Sequence, residues 1–118
     1  MVPMASGLHG GVAGFQELCG AFTGAVLALG YQIGNQGREY KEHKKVTDQA
    51  VREFAKRFKE HAGALHCRAI VEYDFSDPDG YKAFRKSDAP ATKCRPAVRF
   101  AVEQVLATTE EGGVLPVK

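Results

Sequence analysis

Between Phe15 and Ile33 large apolar residues recur every three or four positions, at Phe15, Leu18, Phe22, Val26, Leu29 and Ile33. A second row on the opposite side holds only small residues, Gly20, Gly24 and Ala28. That period belongs to a helix. Bulk on one face and nearly bare backbone on the other require a central helix packed on both sides, with a neighbour pressed close against the glycines. Gly30 and Gly34 then end it. The rest of the chain has to pack around this segment.

The remaining segments read as helices as well. Thr47 or Asp48 can cap a helix that runs to about His61, turning Ala50 or Val51, Phe54 and Phe58 inwards. On its outer face Asp48 pairs with Arg52 and Glu53 with Arg57, and Gly63 stops it. Residues 35–46, ahead of it, are polar and read as a loop or a frayed helical turn. Residues 67–71 supply one or two helical turns. Ser76-Asp77-Pro78-Asp79-Gly80 opens another helix, with Ser76 as the cap and Pro78 in the first turn, running to about Arg85 with Tyr81 and Phe84 inwards. The last helix begins near Thr92 to Cys94, carries Pro96 in its first turn, and buries Val98, Ala101, Val102, Val105 and Leu106. Residues 1–14 form a glycine-rich loop and 108–118 a flexible tail. No alternating pattern of strand length occurs. The expectation is a single all-α domain over residues 1–118, with four to five helices around a buried glycine-rich one.

Charge and hydropathy narrow the functional classes. A net charge of +2 gives no clustered basic excess, and the most charged stretch, residues 38–60, interleaves eight basic with five acidic side chains as a solvated face does. No nucleic acid partner is expected. The apolar run over residues 18–33 falls short of the ~20 residues of a membrane span and is broken by Thr23, Gln32 and glycines. Residues 2–12 do not have the build of a secretory signal, and three is an odd number of cysteines for a disulfide framework. A reducing cytoplasm is the expected setting.

The chemistry rests on those cysteines. Cys19, Cys67 and Cys94 each fall where the local pattern puts the first turn of a helix, where free N–H groups and the helix dipole favour thiolate. His66 and Arg68 flank Cys67, and Lys93 and Arg95 flank Cys94, adding positive charge. Spacings of 48 and 27 residues rule out a zinc knuckle or a local CxxC pair and require a site assembled by tertiary folding. Three thiolates could hold an iron–sulfur cluster or a zinc ion, with His9, His66, water or a second chain as the fourth ligand. Two could instead cycle between dithiol and disulfide. Buried filler cysteines in a non-catalytic assembly or accessory module, and a zinc-stabilised structural domain, are the competing readings. The glycines of Gly7-Leu8-His9-Gly10-Gly11 lack the Lys-Ser/Thr of a phosphate loop and the preceding strand of a dinucleotide fingerprint. They either bring backbone close to Cys19, or to what it holds, or serve only a tight turn and a tight helix crossing.

Gly10-Gly11, then Cys19-Gly20-Ala21 with Gly24, then Cys67-Arg68, then Ser76-Asp77-Pro78 with Gly80-Tyr81, then Cys94 with Pro96, resembles the C-GCAxxG-C-C family over about residues 7–106. The resemblance implies a largely helical protein with redox activity. Three of the family's four cysteines map onto Cys19, Cys67 and Cys94, and Gly10, Gly11, Gly20 and Gly24 onto its glycines. The first family cysteine, carried on a helix ahead of the glycines, has no counterpart in these residues. A four-cysteine cluster therefore needs a second chain, and a homodimer, which would also cover the glycine face of the central helix, is expected. A redox partner protein is the other expected partner.

Overall fold

The computed structural model describes residues 5–110, so residues 1–4 of the expected N-terminal loop and the expected tail beyond residue 110 lie outside the described residues. It is all-α. A short 3-10 turn at Ser6–Leu8 precedes α1 (Gly20–Gly34), α2 (Tyr40–Ala62), α3 (Cys67–Val71), α4 (Pro78–Lys86) and α5 (Arg95–Glu110), the last entered through a π-helical turn at Pro90–Cys94. Among the described residues the only β pairing is an isolated antiparallel bridge between Leu18 and His66. No helix among them is long and apolar enough to cross a membrane.

The core lies where α1 meets α2 and α5. Leu29, Ile33, Ala50, Phe54 and Phe58 are fully buried, with Phe22, Ala25, Ala97 and Ala101 beside them. The rings of Phe22 and Phe54 stack at 5.5 Å between centroids, and Phe58 lies tilted against both at 5.7 and 5.8 Å. The apolar positions of α2 are thus the expected ones, and Gly63, in the left-handed conformation, ends it as the sequence requires.

Local differences have physical causes. The central helix starts at Gly20, because Leu18 is spent on the bridge to His66, and Phe15 is exposed. Helix α2 begins at Tyr40 behind Glu39, not at Thr47 or Asp48. Its added turns are good helix formers with no apolar stripe, held by pairs such as Lys44 with Asp48 at 3.7 Å, so no hydrophobic period betrays them. Asp48 faces Lys44 in that pair, whereas the expected Glu53–Arg57 pair forms at 3.3 Å. Asp77, not Ser76, caps α4 by accepting from the Asp79 N–H at 3.0 Å, with Pro78 in the first turn as expected. Residues 108–110, expected in the tail, continue α5, and Thr108 is buried with its hydroxyl donating to the Gln104 carbonyl at 3.0 Å.

The last helical segment also departs from expectation. Ser87 Oγ accepts from the Ala89 N–H at 3.1 Å, and helical backbone runs on from there through the π turn. Pro96 sits immediately downstream of that turn; in a regular helix its ring would strike the carbonyl four residues back and its nitrogen could donate no bond, a conflict the wider turn relieves. Of the two apolar rows on α5 only the small one, Ala97 and Ala101, enters the core. Val98, Val102 and Leu106, expected to be buried, stay about half exposed along a groove floored by Gly24 and Ala28 of α1.

Candidate functional site: a three-cysteine cleft

The stretch before α1 turns in an unusual sense. Gly10, Gly11, Val12, Ala13, Gly14 and Gln16 all have positive φ, from +49° at Ala13 to +80° at Gly14, so residues 10–14 make a left-handed turn. Left-handed backbone costs an ordinary L-residue about 1–2 kcal/mol, and here three non-glycine residues adopt it. Hydrogen bonds hold the turn closed: the Gly14 N–H donates to the His9 carbonyl at 3.2 Å, Gln16 to Gly10 at 2.9 Å and Glu17 to Gly11 at 2.9 Å. Strain of this kind persists only where the surroundings enforce it.

What the turn delivers is the buried side chain of Gln16. Its Nε2 donates to the Tyr73 carbonyl at 2.6 Å, and its Oε1 accepts from the Phe75 N–H at 2.8 Å. It also hydrogen-bonds the Cys67 thiol. One amide therefore ties the glycine turn to the segment after α3 and to a cysteine. Nothing in the sequence singles it out, since a lone glutamine at the end of a glycine-rich loop has no periodic or motif signature.

The bridge comes next. The Cys19 N–H donates to the Leu65 carbonyl at 2.8 Å and the Cys67 N–H to the Glu17 carbonyl at 2.7 Å, one bond on each side of the Leu18–His66 pair. Each cysteine thus lies one residue beyond the bridge on its own strand and opens a helix there. Cys19 is the N-cap of α1 and Cys67 the first residue of α3. Cys94 reaches the same place from a third element, as the last residue of the π turn. It lies a turn inside a helical segment and not at its start, a correction to the expectation for that residue.

All three cysteines line one cleft of about 630 Å³. Gly10, Gly11 and Gly20 line it too, and Val71, Phe75, Tyr81, Phe84 and Val98 form apolar and aromatic wall. Phe75 packs edge-on to Tyr81 at 5.2 Å and tilted to Phe84 at 4.9 Å, so the aromatic part of the wall is itself a cluster. Gly20 is held tightly, since a Cβ there would come within 3.0 Å of the Leu8 carbonyl oxygen. Gly24 is not: a Cβ there meets nothing within 4 Å, and it lines the α1/α5 groove instead of the cysteine cleft. The close neighbour expected against both glycines is present only at Gly20. His9 lines the cleft, whereas His66 is exposed beside Cys67 and lines none of it.

The three thiols are free, Cys67 buried and Cys19 and Cys94 half-buried. Their electrostatics run opposite to expectation at two of them. Burial pushes the Cys67 thiol up from its ordinary 9.0 to about 11; charge on Cys19 and, more weakly, on Cys94 adds to this, while the Gln16 hydrogen bond opposes it. Burial raises Cys94 as well, with Cys19 adding. Desolvation outweighs helix termini and flanking cations, because the side chains of Arg68 and Arg95 are exposed. Lys93 turns to Glu72 at 2.6 Å and holds that carboxyl below its usual range.

A stability consequence follows. Between pH 9.0 and about 11 the unfolded chain gives up the Cys67 proton that the folded chain retains. The folded state then binds more protons, so stability falls as pH rises through that window. Urea titrations at either end of it should show a smaller loss in Cys67→Ala than in the wild type.

Among the described residues no group of three or more His, Cys, Asp or Glu side chains is disposed to hold a metal ion. What the arrangement does is open three thiols onto one sheltered space that a further reactant can enter. A family model described as "Putative redox-active protein (C_GCAxxG_C_C)" matches residues 1–108. No curated protein and no solved structure matches the chain.

Proposed function

The chain belongs to the C_GCAxxG_C_C family, and from that premise we propose that it is a thiol redox protein whose Cys19, Cys67 and Cys94 cycle between dithiol and disulfide. One observation carries this reading: a single cleft collects all three sulfurs from three separate elements. Cys19 and Cys94 are the more accessible, so an oxidant meets one of them first and Cys67 resolves the mixed disulfide. Gly10, Gly11 and Gly20 bring backbone close to that chemistry, and His9 is the histidine placed to serve it.

A redox partner protein, electron transfer through it and a reducing cytoplasmic setting belong to the same reading. So does a homodimer. The half-exposed ridge of Val98, Val102 and Leu106 and the bare floor at Gly24 share one face, which lets two copies about a twofold axis each seat a ridge in the other's groove. An iron–sulfur or zinc centre on the three cysteines with His9 or His66 is the competing reading.

The deciding experiment is anaerobic purification with metal analysis, followed by limited oxidation and mass-spectrometric mapping of disulfides. We expect metal-free protein that loses two thiols to one internal disulfide, a Cys67→Ser variant that does not form it, and an α2 helical signal unchanged in both. Stoichiometric iron or zinc would put the metal reading in its place. Serine variants at all three positions that oxidise like the wild type would end it.

A further inference from the structure

The cleft is far larger than two sulfur atoms require. Its volume of about 630 Å³ falls in the ~300–1,000 Å³ range of small-molecule sites. None of the residues lining it is Lys, Arg, Asp or Glu. Burial keeps the thiols of Cys67 and Cys94 protonated, so those two sulfurs bring no charge at neutral pH. A charged ligand entering here would shed water and meet no carboxylate, ammonium or guanidinium, with the His9 imidazole as the one basic side chain of the lining, whereas an uncharged one would meet the faces and edges of Phe75, Tyr81 and Phe84.

We infer that the cleft binds, ahead of any reaction, an uncharged small disulfide with a flat apolar or aromatic body, and that the cysteines reduce it. This rests on the thiol-exchange reading and adds the class of its substrate. The balance closes without another reactant. A cysteine thiolate attacks one sulfur of the ligand disulfide, that S–S bond breaks, and the departing sulfur takes up the proton the cysteine lost. A second cysteine then attacks the mixed disulfide, forming a Cys–Cys bond and releasing the other ligand sulfur, which takes the second proton. Two electrons pass from the protein dithiol to the ligand, which leaves as thiol.

Two chromogenic aromatic disulfides of similar framework test it: dithiodipyridine, uncharged at neutral pH, and dithiobis(nitrobenzoate), a dianion. Stopped-flow release of the coloured thiol from the reduced protein is compared with release by free cysteine. The expected rate with dithiodipyridine saturates as its concentration rises and, relative to free cysteine, exceeds that of the dianion by at least about tenfold. Tyr81→Ala, at a partly exposed position that the fold can spare, should raise the half-saturating concentration roughly tenfold. Rates linear in concentration, or equal preference for the two reagents after normalisation, would overturn the inference. Mapping the products separates it from its premise: saturation that ends in ligand adducts with no internal disulfide upholds the binding site and removes the dithiol cycle.

Discussion

Gly11→Ala should be among the most damaging single-methyl changes in the described residues. A Cβ at this position would lie 2.6 Å from the Glu17 nitrogen and 2.7 Å from the Gln16 carbonyl carbon, both backbone atoms that no rotamer change can move aside. Its φ of +67° is strained for alanine as well. Left-handed strain of ~1–2 kcal/mol and overpacking of ~1–3 kcal/mol together cost on the order of 3 kcal/mol. Against a domain stability of ~5–15 kcal/mol this shifts Tm by more than about 10 °C. Gly14→Ala is the control: φ is +80°, yet a Cβ there meets nothing within 4 Å, so only the conformational part should be lost. Thermal melts that place the two variants together would mean the turn relaxes and does not fix the cleft. Because the turn presents Gln16, Gly11→Ala should also change the reactivity of Cys67 in whatever fraction stays folded.

Gln16→Leu should carry the second large effect, with a chemical signature of its own. The leucine would leave the Tyr73 carbonyl and the Phe75 N–H without their partner, at ~1–3 kcal/mol for each group left buried and unpaired. It would also remove the hydrogen bond that opposes the upward shift of Cys67, driving that thiol higher still and cutting its thiolate fraction about tenfold for each pKa unit. The pH profile of alkylation in a Cys19→Ser/Cys94→Ser background isolates Cys67, and its midpoint should move upwards from the parental one in Gln16→Leu. A variant that melts earlier but titrates with the parental midpoint would reduce Gln16 to a loop clamp. Gln16→Glu offers a second check, since a carboxylate can still accept from the Phe75 N–H but, when ionised, cannot donate to sulfur.

Most of the architecture was legible along the chain. The aromatic positions of α2, the stop at Gly63, the short helix Cys67–Val71 and Pro78 in the first turn of α4 all follow from local rules, periodicity and dihedral preference, that act within a few residues. The three cysteines announced themselves by type and by family spacing, and the cleft does contain all of them. Where local rules had no purchase, the reading failed. The opening turns of α2 carry no apolar stripe, the π turn is an adjustment upstream of Pro96, and the exposed row of α5 depends on which of two apolar faces α1 leaves room for.

The electrostatic error has the same root. Helix termini and flanking arginines are visible in a sequence and both favour thiolate, but the solvent each sulfur loses on folding is a property of every element around it, and at Cys67 and Cys94 desolvation is the larger effect. Sequence alone therefore determined the helical class and the three sulfur atoms on which the proposed chemistry rests. Only the tertiary structure decided that a glutamine in a left-handed turn would reach one of them, that an isolated bridge would tie the segments carrying Cys19 and Cys67, and that burial would hold the Cys67 and Cys94 thiols protonated, because each of these depends on contacts between residues far apart in the chain.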